Sequence, residues 1–471
     1  MSAAIEVLAF LAVMAAASLS FAAGWLGVDG AIVLTVMLLV TLIVLSWARL
    51  GQGRHPCFLF LCTLTLFQGG RLIAFCLGAE PNPLRVELMG SSAFALPREV
   101  EGLVLLCVAL SAVCIYAPCR WCYRTIPPPD VAGVRRYLPY LYLVFFASLP
   151  ILLWKSYTYF QYARSHGGYL FLYVNRTAMQ SRFPLILRLL SQVALPAFFA
   201  IFVFEPRRSL RNIVTILYFS AASVMLLLGQ RSSFFVAAAA LWYVARIKTV
   251  GNSRIYVIPV LILLAVLASG LIQSIRENPD EWSISESLTT FPTDFLRFQG
   301  SSLGVTETAI QYRSQFAKYG ASYLFHELQA AFLPSDAKYY VRGNVMSLDI
   351  SAFLNPVTFD AGVGTGGSYI AEGYVLGWLP GVVAVSLAVS FGLILLHRLS
   401  GTAMFLVPVA LTVSDVIWLP RGELLDWASA LTRNLIVICF LYAIWLIYYF
   451  VASTVRHDTA AQASPKLDET Q

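Results

Sequence analysis

Charge is what this sequence has least of. Only 12% of its 471 residues are Asp, Glu, Lys or Arg, while 59% are hydrophobic, and a soluble protein carries about 25% charged residues. That deficit excludes an ordinary soluble domain. The apolar runs are long and continuous, without the alternation of a barrel strand, so the expectation is helices crossing a bilayer. An Asp-x-Asp pattern is missing, which weighs against a metal-dependent glycosyltransferase. No His-Glu-x-x-His pattern appears either, and two isolated outer histidines do not make a metal site, so no metal or cofactor is expected. The eight cysteines build no disulfide framework, and the long polar stretch 273–367 contains none. Cys119 and Cys122 form a Cys-x-x-Cys beside Arg120 and Arg124, with no second pair and no nearby His. They read as core thiols ahead of a metal or redox pair. The N-terminus lacks a basic leader and a cleavage signal, and reads as a retained first span. No internal repeat of solenoid or propeller length is present.

What is there is a series of apolar runs near the roughly 20 residues needed to cross the hydrocarbon core. They fall at 4–23, 31–48, 57–78, 102–118, 137–154, 185–204, 212–229, 232–247, 255–272, 368–396, 402–418 and 429–452. The prediction is an all-α polytopic membrane protein with about 12 transmembrane helices. Nine fall in 1–272 and three in 368–455; a large loop lies at 273–367 and a disordered tail at 456–471. The net charge of +7 is spread between the spans, so it argues for topology and against nucleic acid. Short basic connections carry Arg49 and Arg54, Arg120 to Arg136, Arg207 to Arg211, Arg246 to Arg254, and Arg398. These are expected on the cytoplasmic side, together with both termini. The 79–101, 155–184, 229–232, 273–367 and 420–427 connections then face outward.

The outward set still contains arginines, against the usual bias. Arg231 and Arg421 stand in minimal loops, and Arg276, Arg297 and Arg342 in the long stretch. A guanidinium grips phosphate through paired N–H donors, and arginines at a membrane rim suit a lipid-linked diphosphate. The alternative is contact with ordinary anionic headgroups. Glu372 begins the tenth apolar run, where a carboxylate is costly unless paired or used. It is a candidate general base or a structural ion-pair partner of an outer arginine. His166 and His326 are the other candidate bases. Arg71 is a charge inside the third run and requires a partner or a water-filled cavity. Within 273–367, Tyr323, Leu324, Leu328, Ala331 and Phe332 have helical spacing up to Pro334, predicting an amphipathic helix near the membrane face. The whole stretch is expected to cover the 229–232 hairpin and the 420–427 loop.

Three stretches carry a family likeness: Leu228-Gly229-Gln230-Arg231-Ser232-Ser233, Gly366 to Tyr374 with Gly377 and Gly381 beyond it, and Pro420-Arg421-Gly422-Glu423. With the large loop between spans 9 and 10, the chain resembles the Wzy-type O-antigen polymerases, which join oligosaccharide repeat units. It departs from the pattern at Gly377-Trp378, where an Asn/Phe-Gly step is usual. The resemblance implies a GT-C-like glycosyltransferase of the bacterial inner membrane that polymerises undecaprenyl-diphosphate-linked glycan at the periplasmic face. It implies no metal or nucleotide sugar. The donor and acceptor are both lipid-linked, and a chain-length regulator and a flippase are possible partners. Arg231 and Arg421 then hold the diphosphate, with Arg276, Arg297 and Arg342 assisting, and Glu372 matches the acidic motif position. Two alternatives stay open: an O-antigen ligase that transfers glycan to lipid A core, and a lipid-linked sugar transporter.

Overall fold

A computed structural model describes residues 24–86, 94–165, 183–227, 231–248, 284–332, 341–360 and 364–428, with parts of 6–21 and 431–447. Among these residues the architecture is helical, apart from the two-residue strands Arg85–Val86 and Phe94–Ala95, which pair antiparallel. Seven helical stretches are long and apolar enough to cross a membrane: Val28–Arg49, Pro56–Cys76, Arg98–Trp121, Ala132–Tyr162, Leu185–Phe204, Tyr369–Leu399 and Ala403–Arg421. Each falls on one of the predicted runs. The predicted 212–229 and 232–247 runs are helical as Arg208–Leu227 and Arg231–Lys248. The 429–452 run is described in part, as the apolar stretch Asn434–Ile447. The 255–272 run and most of 4–23 lie outside the described residues.

The helix boundaries have local causes. Pro56 occupies the first helical turn, where its missing N–H is harmless, and His55 Nδ1 accepts from the Cys57 N–H at 3.1 Å. Arg98–Trp121 begins with Glu99 and Glu101 and ends with Arg120, matching the helix dipole at both ends.

Two cores form. One gathers Val28–Arg49, Pro56–Cys76, Arg98–Trp121, Ser302–Gln311, Met346–Leu354 and Tyr369–Leu399. The other gathers Leu138–Ser165, Leu185–Phe204, Arg208–Leu227, Arg231–Lys248 and Ala403–Val416. The second contains an aromatic cluster: Phe198 stacks on Tyr218 at 4.5 Å between ring centroids, and Phe219 meets Phe234 edge-on at 5.1 Å.

The long polar stretch is more than a cover, which corrects the sequence-based expectation. Its helix Ser302–Gln311 is buried from Ser302 to Ile310 and packs against Pro56–Cys76, Arg98–Trp121 and Tyr369–Leu399. Thr306 and Thr308 can occupy this position because their hydroxyls find partners inside the protein, Thr308 on the Gly304 carbonyl at 2.8 Å. Just before Ser302–Gln311, Gly70 and Gly300 let the backbone of Pro56–Cys76 touch that of the preceding helix Ile284–Gln299 and its end. A Cβ on Gly70 would lie 2.5 Å from the Leu296 carbonyl oxygen. The predicted amphipathic helix is present as Gly320–Phe332.

Candidate active site

The run after Gly367 does not form one straight span. Ser368 caps its first helical segment, its hydroxyl accepting from the Ala371 N–H at 3.3 Å. The helix then breaks at Gly377 (φ −154°, ψ 27°) and Trp378 (φ 58°, ψ −142°). The break is sharp enough to bring Gly373 against Gly381, where a Cβ on Gly381 would collide with the Gly373 carbonyl. The remainder, 379–399, is helical. At a rise of about 1.5 Å per residue it runs for roughly 31 Å, enough to cross the hydrocarbon core alone. The short segment 369–376, which carries Glu372, is therefore free of that duty.

This segment is fastened to the loop bearing Arg421. Glu372 is buried, and its Oε2 accepts from the Leu424 N–H at 2.6 Å. The Gly367 N–H donates to the Arg421 carbonyl at 3.2 Å. Gly366 has φ +77° and faces the Arg421 side chain, in the left-handed region where glycine is favoured. A Cβ on Gly367 would lie 2.9 Å from the Gly422 carbonyl carbon, so this close approach also requires glycine. Arg421, half-buried, donates through Nη1 to Gln299 Oε1 at 3.1 Å, and its guanidinium is 5.8 Å from the Phe67 ring centroid. Glu423 accepts from the Ser347 N–H at 3.1 Å and the Ser347 hydroxyl at 2.6 Å, tying the loop to Met346–Leu354.

Gln68 joins these pieces from below, and its role was not evident from the sequence. It is fully buried. Its Nε2 donates to the Pro420 carbonyl at 2.8 Å and to Ser368 Oγ at 3.1 Å, while its Oε1 accepts from Thr306 Oγ1 at 3.1 Å. The Thr306 and Ser368 hydroxyls are 2.9 Å apart. One side chain thus links a spanning helix, the buried loop helix, the cap of the Glu372 segment and the Arg421 loop. An amide inside an apolar run was the available signal.

Arg71, one turn further along, finds the partners its burial demands. It ion-pairs with Glu80 at 3.9 Å and Glu307 at 4.0 Å, and donates to the carbonyls of Arg85 at 2.9 Å and Asn82 at 3.3 Å. Arg297 binds the far side of Glu80 at 2.8 Å. Burial pushes the Glu307 carboxyl up to about 8, against the pull of Arg71. Burial thus favours the neutral form of Glu307 even beside Arg71.

The structure unites Glu372 and Arg421, with Arg297 two residues from the Gln299 that Arg421 contacts. His326 is on the helix Gly320–Phe332 and hydrogen-bonds through Nδ1 with Gln329 Oε1 at 3.2 Å. Arg342 is exposed in the turn before Met346–Leu354. Arg231 is the first residue of Arg231–Lys248, and its side chain lies outside the described set. His166, Arg276 and residues 229 and 230 of the 229–232 hairpin also lie outside the described residues. Cys119 is a buried free thiol 3.4 Å from Ser390 Oγ, and Cys122 is likewise free; against the expectation of no nearby His, the ligand atoms of His55, Cys57 and Cys119 lie within 4.8 Å of one another.

A helix bundle with, among the described residues, seven stretches long and apolar enough to cross a membrane, joined by a buried polar junction at a broken helix, has the construction of a multi-pass membrane protein. The family model for the O-antigen polysaccharide polymerase Wzy matches residues 131–452, and the chain belongs to that family. It is accordingly a glycosyltransferase-type polymerising enzyme of the bacterial inner membrane, acting on lipid-linked oligosaccharide repeat units. No curated protein and no solved structure matches the chain.

Proposed function

We propose that this chain extends undecaprenyl-diphosphate-linked glycan at the periplasmic face by metal-independent, GT-C-like glycosyl transfer, with both termini cytoplasmic. An acceptor hydroxyl gives its proton to a protein base and attacks the anomeric carbon of the donor. The new glycosidic C–O bond forms as the bond from that carbon to the diphosphate oxygen breaks, and undecaprenyl diphosphate departs. Arg421 and Arg231 stabilise the charge growing on the diphosphate, where a fixed guanidinium is worth most. Arg276, Arg297 and Arg342 assist capture at the rim. The candidate bases are Glu372, His326 and His166. The bond from the Leu424 N–H to Glu372 supports a second use of that carboxylate, as the anchor that holds the Arg421 loop on the broken helix. A chain-length regulator and a flippase are the expected protein partners.

The observation that carries this reading is the junction of the Arg421 loop with the capped, glycine-rich start of the Glu372 segment. The glycan profile of a deletion strain tests it. Single repeat units on the lipid carrier, restored to long chains by the intact gene, support polymerisation. Polymer left on the carrier identifies a ligase instead. Unchanged surface glycan, or lost uptake of labelled lipid-linked sugar by sealed vesicles, overturns the reading.

A further inference from the structure

Trp378 is held where a tryptophan is costly. Its φ is 58° and its ψ is −142°. Glycine populates that region easily and bulky residues avoid it. Such strain persists where surrounding structure over-determines it, and it concentrates at functional positions. Gly377 immediately before it has a negative φ and open space around its Cα, so the glycine is not at the position that most needs one. The side chain gains little shelter in return: Trp378 is 57% exposed.

It is nevertheless fixed in place. The Arg313 guanidinium lies over the indole at 4.6 Å from the ring centroid. The same guanidinium donates to the carbonyls of Tyr374 at 3.2 Å and Val375 at 3.3 Å, which end the short helical segment. A cation is favoured at that C-terminal end. The Tyr374 ring flanks the indole at 5.9 Å. One face of a large, rigid ring is therefore backed by a charge, and the ring is presented at the end of the segment that carries Glu372.

We propose that Trp378 is a stacking platform for a sugar ring of the lipid-linked oligosaccharide, set beside the reacting site and fixing how the glycan runs away from it. An aromatic face carries negative quadrupole charge and attracts the positively polarised C–H face of a sugar ring. The platform takes neutral or weakly charged hexose rings through their apolar face. This inference rests on the polymerase reading above. It assigns Trp378 a binding role and no part in bond breaking.

The test uses the purified full chain with lipid-linked repeat units extracted from the deletion strain. Trp378→Gly removes the ring and relieves the backbone together. It should melt at the same temperature as the wild type or higher, while its KM for the repeat unit rises roughly tenfold and its products shorten. Trp378→Phe keeps a smaller platform and should stay within about threefold of the wild type. Repeat units should change the tryptophan emission of the wild type, and this change should disappear in Trp378→Phe. A Trp378→Gly protein with unchanged KM overturns the proposal, and one that also melts lower makes Trp378 a membrane-interface anchor. A wild type that makes no polymer sinks the polymerase reading itself. A wild type that polymerises beside an indistinguishable Trp378→Gly sinks the platform alone.

Discussion

The two cores of this molecule handle polar groups in opposite ways. In the core containing Pro56–Cys76 and Ser302–Gln311, Gln68, Arg71, Thr306, Glu307, Ser368 and Glu372 are buried in the interior and bonded across elements. In the core around Leu185–Phe204, an aromatic cluster packs with Val, Ala and Leu side chains, and Glu205, Arg246 and Lys248 stand at helix ends. There Glu205 accepts from the Tyr142 hydroxyl at 2.8 Å, and Lys248 reaches the carbonyls of Phe202 and Val203. Buried polar groups are destabilising unless fully partnered. The first core holds the linked network of buried polar side chains; under the proposed function it is the working half and the second core its scaffold. Arg421 follows Ala403–Val416, a helix of the scaffold core, and is laid across the working one.

Four substitutions test this contrast, beginning with the strongest. Arg421→Ala should cut polymer formation about 10²–10³-fold at normal membrane levels, as for loss of one transition-state charge contact, with Lys rescuing only partly. A normal glycan ladder from Arg421→Ala on gels would dissolve the distinction. Gln68→Leu leaves the Pro420 carbonyl without its donor, at about 1–3 kcal/mol for a buried group left unsatisfied, while Thr306 and Ser368 lose one partner each and keep each other. Melting in detergent should fall clearly and polymer length with it.

Glu307→Gln comes next, through pH. The folded carboxyl titrates at about 8 against an ordinary 4.5. Its contribution to stability is therefore complete below pH 4.5 and is lost as pH rises to about 8. The wild-type melting temperature should decline across that window relative to Glu307→Gln. Parallel curves would mean that the carboxyl is ionised throughout. Phe198→Leu in the other core should have the smallest effect: about 1 kcal/mol of stability and an unchanged ladder. Shortened glycan from Phe198→Leu would show that the scaffold half also shapes the site.

Much of this was legible from local pattern. Long apolar runs gave the spans because a bilayer demands about 20 apolar residues per helix. Arg421 and Glu372 drew attention because charge beside a membrane is conspicuous. Arg71 announced that it needed partners, but not that Glu80 and Glu307 would supply them. Gln68 escaped notice because an uncharged amide hardly disturbs an apolar run, and it also lies outside the 131–452 family match. The 273–367 stretch misled for a related reason. Its polar composition suggested a surface cover, whereas Ser302–Gln311 is core, with the Thr306 hydroxyl bonded to Gln68 and Ser368 and the Thr308 hydroxyl to its own helix.

The sequence alone determined the membrane class, the placement of most spans and the family, since these follow from composition, periodicity and short motifs. Only the tertiary structure decided that the tenth run breaks at Gly377-Trp378, that a polar loop helix enters the core, and that Gln68 holds Glu372 and Arg421 in one frame. Those facts depend on contacts between residues up to 352 positions apart, as from Gln68 to Pro420. Hydrogen-bond satisfaction across such distances is a property of the packed chain, and no local window of sequence contains it.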